Sequence, residues 1–345
     1  MKHVFFVSSN LTFFIANKII QLDGLKKEEC CLLLVRNYQL PVSYRDAFPQ
    51  QITTDYNVDE HTGRVFAGMN VRRTKANILD FDSKVDPFLQ GEPFVWYSPV
   101  CSNDICSLMV SKPNCTGYYI IEDGLASYRQ FNPQTFNGWR YIVYKCVLKP
   151  LFPRIFCVKN HFITTNNPKF RGCIATSDKC FPLHQKALRV IGNPFDERKT
   201  TDNLPQVVIS IDPWYQLLDI DTTERVYRQL SEKICTREQK TIACKLHPRF
   251  DAPQNTAIKE QYIHLLKRCF KDCIILPRDS ILEQILVAPS QEFYCGMSSV
   301  ALYVSQRGVQ CYSFIPMVKN TPAWEQLPAI MQSIVTPIGE PVIAE

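Results

Sequence analysis

Val207-Val208-Ile209-Ser210-Ile211 opens the stretch that decides the fold. Four β-branched aliphatic residues in five read as a buried strand. A regular alternation follows. An amphipathic helix is expected over Thr222 to Cys235, with Asp221 or Thr222 as its cap. Then come the strand Thr241-Ile242-Ala243-Cys244-Lys245, a helix from Ala257 to Phe270 and the strand Cys273-Ile274-Ile275-Leu276. A short helix from Ser280 to Val287, the strand Glu292-Phe293-Tyr294-Cys295, a helix from Met297 to Gln306 and a last strand from Val309 to Phe314 complete the series. Strands that alternate with helices and are apolar throughout imply a parallel sheet covered on both faces.

Outward from there, the first half repeats the pattern less regularly. Residues 3–9 read as a strand. Leu11 to Leu22 reads as a helix with Leu11, Phe14, Ile15 and Ile19 at helical spacing and Asn10 as cap. Cys31-Leu32-Leu33-Leu34-Val35, Phe94-Val95-Trp96-Tyr97 and Tyr118-Tyr119-Ile120-Ile121 read as further buried strands. Residues 40–90 yield no clear element. Asn137 to Leu151 reads as a helix carrying Arg140, Lys145 and Lys149. Residues 150–205 are basic, punctuated by proline and irregular, so they are expected to hold the end of the first domain and the linker. The expected architecture is α/β. Two Rossmann-like, doubly wound domains, 1–200 and 206–345, face a central cleft.

The chain of 345 residues is 46% hydrophobic and 21% charged, which excludes a disordered or fibrous class. A net charge of +6 suits an anionic ligand or an acidic membrane surface and is too small to argue for nucleic acid. The fifteen cysteines are scattered through apolar runs without a CxxC framework, so they read as buried thiols rather than a disulfide scaffold or a zinc site. Cys101, Cys106 and Cys115, or Cys173 and Cys180, are the pairings an oxidising compartment would allow. No apolar run is long enough to span a membrane. Val4-Phe5-Phe6-Val7 breaks at Ser8-Ser9-Asn10 without a small-residue cleavage site, and so reads as a strand rather than a signal peptide.

Three short constellations carry chemistry. Glu122-Asp123-Gly124 ends an apolar strand, which delivers two carboxylates to the carboxyl edge of a sheet, with Gly124 free to make the turn. The bland alternative is a solvated Asp-Gly turn. Lys245-Leu246-His247-Pro248-Arg249 ends another strand. Pro248 stops the strand and holds His247 extended, where its imidazole can donate to a phosphate oxygen. Cys295-Gly296-Met297-Ser298-Ser299 places two hydroxyls at a helix start, equally suited to a phosphate and to simple N-capping by Ser298. Ser280-Ile281-Leu282-Glu283 has the form of a capping box, and Glu283 is also a candidate for binding ribose hydroxyls. No GxGxxG or Walker A pattern is present.

These three motifs, in this order and strand context, resemble the bacterial sialyltransferases of the GT-B type. The lipooligosaccharide sialyltransferases and capsule polysialyltransferases look most similar, also in the hydroxyl-rich turn Ser8-Ser9-Asn10. The resemblance covers most of the chain as architecture and about a dozen residues as motif. Where the family often has Asp-Asp-Gly, this chain has Glu-Asp-Gly. The resemblance implies an inverting transferase that moves sialic acid from CMP-sialic acid to a glycan hydroxyl, with no metal or other cofactor. By the same resemblance Glu122 matches the general base and Asp123 would orient it or hold the acceptor. His247 matches the residue that stabilises or protonates the departing phosphate, and Ser298 and Ser299 match the phosphate-binding pair, beside Gly296 and Pro248. Glu283 matches the ribose-binding acid. Ser9, Asn10, Gly124, Lys245 and Arg249 are weaker substrate-binding candidates.

Two other readings stand beside it. One is a GT-B enzyme using another CMP-linked acidic sugar, of the Kdo or legionaminic type. The other is a non-catalytic nucleotide- or glycan-binding protein. The expected partners are a CMP-sugar and a glycan acceptor that is lipid-linked in such families, and no nucleic acid. The expected location is the cytoplasm, with the inner membrane as a peripheral docking surface. For the basic 139–190 segment with Trp139, Phe152 and Phe156, a solvated loop and a surface for anionic lipid are the two readings.

Overall fold

Strands buried on both faces must be covered on both, and the buried run at 2–7 pairs with 30–34 on one side and 94–98 on the other. In a computed structural model, which describes residues 1–35, 38–54, 71–99, 104–128, 146, 149–155, 167–195, 204–216, 218–234, 240–296 and 298–318, the chain divides into two compact units, residues 1–194 and 195–345.

The first unit is built on β1 (Lys2–Val7), β2 (Cys30–Leu34), β3 (Gln51–Thr53), β4 (Phe94–Ser98), β5 (Cys115–Ile121), β6 (Phe170–Ala175) and β7 (Leu188–Val190). Their order is β3-β2-β1-β4-β5-β6-β7 and each neighbouring pair is parallel. Helices α1 (Asn10–Leu22), α2 (Val71–Leu89) and α3 (Asp104–Ser111) belong to this unit. α2 and α3 bury Phe81, Val85, Ile105 and Met109 in one core with Phe6, Trp96 and Tyr118 of the sheet. Each such side chain contributes about 1.5–3 kcal/mol when fully buried.

Three expectations for this unit are corrected. Ser9, not Asn10, caps α1. Its hydroxyl accepts from the Thr12 N–H at 3.3 Å, and the Thr12 hydroxyl accepts from the Ser9 N–H at 3.1 Å. The 150–205 segment is not irregular: it supplies β6 and β7. Phe152 is not an exposed aromatic, because it is buried in the main core. Trp139, Phe156 and residues 137–145 of the expected helix lie outside the described residues, as do Cys101 and Met297. The 40–90 stretch, unread from sequence, carries β3 and α2.

The second unit follows the expected alternation. Its elements are β8 (Val207–Ile211), α4 (Ile220–Ile234), β9 (Ile242–Leu246), α5 (Thr256–Cys269), β10 (Ile274–Ile275), α6 (Leu282–Ile285), β11 (Glu292–Cys295), α7 (Val300–Val304), β12 (Gln310–Ser313) and α8 (Ile315–Val318). The sheet order is β10-β9-β8-β11-β12, again parallel throughout. The cap of α4 is Asp219, whose carboxylate accepts from the Thr222 N–H at 2.7 Å, rather than Asp221 or Thr222. The expected capping box at Ser280 does not form. α6 starts after Ile281 with no side-chain cap. The helix expected over Met297 to Gln306 shrinks to α7, continued by a 3-10 turn at Ser305–Arg307. Among the described residues the cysteines are free thiols, Cys173 and Cys180 included, and no helix is long and apolar enough to cross a membrane.

Candidate active site

Both sheets reverse their winding at a switch point, between β1 and β4 in the first unit and between β8 and β11 in the second. Open parallel sheets bind ligands at the carboxyl ends of the strands flanking such a point. The Glu-Asp-Gly, His-Pro and Ser-Ser motifs each lie directly after a strand, at that edge of their own sheet.

In the first unit, the Glu122 N–H continues the β5–β6 ladder to the Ile174 carbonyl at 3.0 Å. Its side chain is 0% exposed. One carboxylate oxygen accepts from both the N–H and the hydroxyl of Thr176, each at 2.7 Å, and the other accepts from the Tyr128 hydroxyl at 3.1 Å. The Cys180 thiol lies alongside. Burial and the Glu122 charge push its pKa up, and the same two causes raise the Tyr128 phenol. Asp123 is half-buried, and its N–H donates to the Ser127 hydroxyl at 2.7 Å. Gly124 has φ +61°, the conformation its sequence position calls for, and it opens the 3-10 turn Gly124–Tyr128. The loop after β6 braces this turn: the Phe181 N–H donates to the Ser127 carbonyl at 2.8 Å. Phe181 itself sits at φ +48°, a strained backbone for a bulky residue. Ser9 and Asn10 follow β1, two strands away and so roughly 10 Å along the same edge. Ser9 is engaged in capping, and the Asn10 side-chain oxygen accepts from the Tyr38 hydroxyl at 2.8 Å.

In the second unit, the His247 N–H extends the β8–β9 ladder to the Ile211 carbonyl at 2.9 Å, and Pro248 then starts a 3-10 turn. The Arg249 N–H donates to His247 Nδ1 at 3.1 Å. A ring nitrogen that accepts carries no proton, so the proton sits on Nε2 and the ring presents a donor there. Burial, with the Arg249 charge second, lowers the His247 pKa to about 4. The ring is therefore neutral at physiological pH. The Arg249 guanidinium is exposed and donates to the Gln216 side chain at 3.0 Å. Lys245, a weaker substrate-binding candidate, is engaged within its own unit. Its ammonium donates to the Pro277 and Arg278 carbonyls at 2.6 and 2.5 Å, and burial brings its pKa down to about 8.

After β11, the Gly296 carbonyl accepts from the Ser313 hydroxyl at 3.1 Å. The Ser298 hydroxyl accepts from the Val300 N–H at 3.3 Å, while the half-buried Ser299 hydroxyl has no hydrogen-bond partner among the described residues. Glu283 is buried at the start of α6, and burial pushes its carboxyl up to about 7 although the Arg307 charge works the other way. Arg307 also donates to the Glu283 and Phe195 carbonyls, which ties α6 to the 3-10 turn after α7.

Sequence reasoning missed two residues. Thr176 holds Glu122 from the neighbouring strand, and nothing in its local sequence marks it. Asp212 follows β8, the strand between His247 and Gly296, at the switch point itself; burial raises the Cys295 and Tyr227 pKa values, and the Asp212 charge adds to it. An apolar strand followed by Asp212-Pro213 was a readable signal, of the same form as His247-Pro248.

The alpha-2,8-polysialyltransferase family (POLYST) matches this sequence over residues 95–315. The chain belongs to the alpha-2,8-polysialyltransferase family. The matched span contains the Glu-Asp-Gly, His-Pro and Ser-Ser motifs of this polysialyltransferase-family chain. No curated protein matches it. Among solved structures, the GT-B domain of a sialyltransferase from Photobacterium damselae is similar at 8% identity and a TM-score of 0.52, over 97% of each chain. A UDP-GlcNAc 2-epimerase from Neisseria meningitidis bound to UDP-GlcNAc is similar at 11% identity and a TM-score of 0.52, over 97% of this chain and 90% of that one. At such identities the likeness establishes the GT-B fold. The family establishes a sialyltransferase, hence a glycosyltransferase.

Proposed function

We propose that the protein transfers sialic acid from CMP-sialic acid to a glycan hydroxyl with inversion at the anomeric carbon. The observation that carries the reading is the fixed tautomer of His247. A neutral imidazole with its proton on Nε2, at the end of the strand beside β8, suits a departing phosphate as a hydrogen-bond donor. Negative charge grows on the CMP phosphate as the glycosidic bond breaks toward an oxocarbenium-like state, so fixed donors aimed there lower the barrier. The hydroxyls of Ser298 and Ser299 add donors from the far side of β8. Since α7 has only five residues, those hydroxyls supply more than its dipole does. Glu283 accepts from the ribose hydroxyls, and a carboxylate of the Glu-Asp-Gly motif takes the proton from the acceptor. The acceptor is a sialylated glycan, as the alpha-2,8-polysialyltransferase description suggests, or a lipid-linked one, and no metal ion is needed.

The test is CMP release from CMP-sialic acid with lactose or oligosialic acid, in EDTA, for wild type and His247→Ala. Acceptor-dependent release that falls by about two to three orders of magnitude in the variant is the expected result. Release that EDTA abolishes would refute the metal-free scheme. Tight binding and turnover of another CMP-linked acidic sugar, with none of CMP-sialic acid, would leave the fold and replace the donor. CMP binding without turnover would replace the enzyme with a binding protein.

A further inference from the structure

We propose that Cys244 and Cys273 form a redox-modification site, a thiol pair that a hydroperoxide converts to a reversible disulfide. Neither residue belongs to the sialyl-transfer machinery, so the proposal stands apart from that reading. Cys244 lies inside β9, and Cys273 directly precedes β10, the edge strand beside it. Helix α5 ends at Cys269, and Asp272 at φ +59° turns the chain back toward the sheet, with the Cys273 N–H donating to the Phe270 carbonyl at 3.2 Å. The β9–β10 register sets Ile275 opposite Cys244. Side chains two apart on a strand share a face, which puts Cys273 on the face of Cys244, in the core that also holds Ile242 and Leu266. There the Cys244 thiol donates to the Cys273 sulfur. That bond lowers the Cys273 pKa against the effect of burial, with the Lys267 charge adding to it, and the same bond and burial raise the Cys244 pKa. Thiolate character therefore falls on Cys273, which is 9% exposed where Cys244 is 0%. The third thiol nearby, Cys269, donates to the Glu224 carbonyl at 4.0 Å, which leaves Cys244 as the resolving partner.

The step balances with a hydroperoxide as the oxidant. The Cys273 thiolate attacks one peroxide oxygen, the O–O bond breaks, and Cys273 becomes a sulfenic acid. The Cys244 sulfur then attacks the sulfenic sulfur, the S–O bond breaks, and the oxygen leaves as water with the Cys244 proton. Two thiols and one hydrogen peroxide thus give one disulfide and two waters. Since Ile275, not Cys273, is directly opposite Cys244, closing the S–S bond asks for a small movement of β10. A two-residue strand with a neighbour on one side only yields at low cost. The bond closes a loop over the crossover 245–272, which carries His247.

The full chain, purified reduced, is treated with hydrogen peroxide, alkylated before and after reduction, and mapped by peptide mass spectrometry beside Cys244→Ala and Cys273→Ser. Circular dichroism on the same samples reports whether the chain is folded. The expected result is a linked Cys244–Cys273 peptide, lighter by two hydrogens, that dithiothreitol reverses and that both variants lack. In Cys244→Ala the Cys273 sulfenic acid has no resolving thiol and should be trapped by dimedone, whereas in Cys273→Ser the Cys244 thiol should stay reduced. The exposed Cys146 reacts in the same sample and shows that the oxidant dose suffices. Linkage of Cys273 to Cys269 overturns the proposal, as does Cys273 passing to sulfinic acid while Cys244 remains a thiol. So does a pair left unmodified at a dose that oxidises Cys146. Where the variants fail to fold, the wild-type map decides alone: a link formed while the circular dichroism is unchanged supports the site, and a link that appears only after unfolding overturns it.

Discussion

Raising the pH from 4 to 8 will cost the second unit about 3 kcal/mol through Glu283 alone, and the sign follows from its burial. The carboxyl titrates at about 7 in the folded chain against an ordinary 4.5. Between those values the folded state keeps a proton that the unfolded chain has lost. The stabilisation is complete below pH 4.5 and is lost as the pH rises through 7. His247 acts the other way. Its pKa is lowered from 6.5 to about 4, so stability is lost as the pH falls through that range. The two oppose each other below pH 6.5, and the wild-type curve alone will hide both. Glu283→Gln separates them, because a glutamine imitates the protonated acid at every pH. Urea denaturation at fixed pH should find variant and wild type equally stable at pH 4 and the variant more stable by about 3 kcal/mol at pH 8. A ribose that donates to Glu283 favours the ionised form. Wild-type CMP affinity should therefore rise more steeply from pH 6 to 8 than the variant's, in which only the phosphate of CMP titrates. A stability difference below about 1 kcal/mol at pH 8 would refute the buried, proton-holding carboxyl.

Three further outcomes are expected. Between pH 5 and 8 the rate profile should contain no limb from His247, whose ring stays neutral in that range; a limb near 6.5 that vanishes in His247→Gln would contradict the fixed tautomer. Gly124→Ala should destabilise the first unit by about 1–2 kcal/mol, because alanine is strained at φ +61°, and a melting temperature equal to wild type would count against the left-handed turn. Lys245→Met should speed amide exchange in the 277–280 turn, whose carbonyls lose their ammonium donor. Wild type, but not the variant, should gain stability as the pH rises from 8 to 10, because the folded chain sheds that proton first.

The second sheet could be read from sequence nearly element by element, because its strands are short runs rich in aliphatic, aromatic or cysteine residues and its helices separate them cleanly. β6 could not. It contains Arg171 and Gly172, and it is a strand for reasons that lie elsewhere in the chain. A Cβ at Gly172 would stand 2.6 Å from the Ala187 carbonyl oxygen, and the Arg171 side chain fills the space over Gly117. The motifs at the strand ends were legible as candidates, and their strand-end placement followed from alternation. Their state was not. Whether Glu122 is open or enclosed depends on Thr176 and Cys180, more than fifty residues later, and no local pattern encodes that meeting. The tautomer of His247 likewise depends on a single backbone N–H, which the His-Pro pair makes available but does not announce.

The strand order of the second unit has a consequence for how that unit is assembled. β8 lies in the middle of its sheet, with β9 on one side and β11 on the other. β9 follows within one crossover, whereas β11 begins at Glu292. Until that late strand docks, one flank of β8 offers a row of unpaired amides and carbonyls on an apolar, untwisted-away surface, the form of edge that recruits other chains. Loss of the four residues Glu292–Cys295 would not remove a margin of the sheet but divide it, leaving β12 without a neighbour and β8 as a permanent open edge.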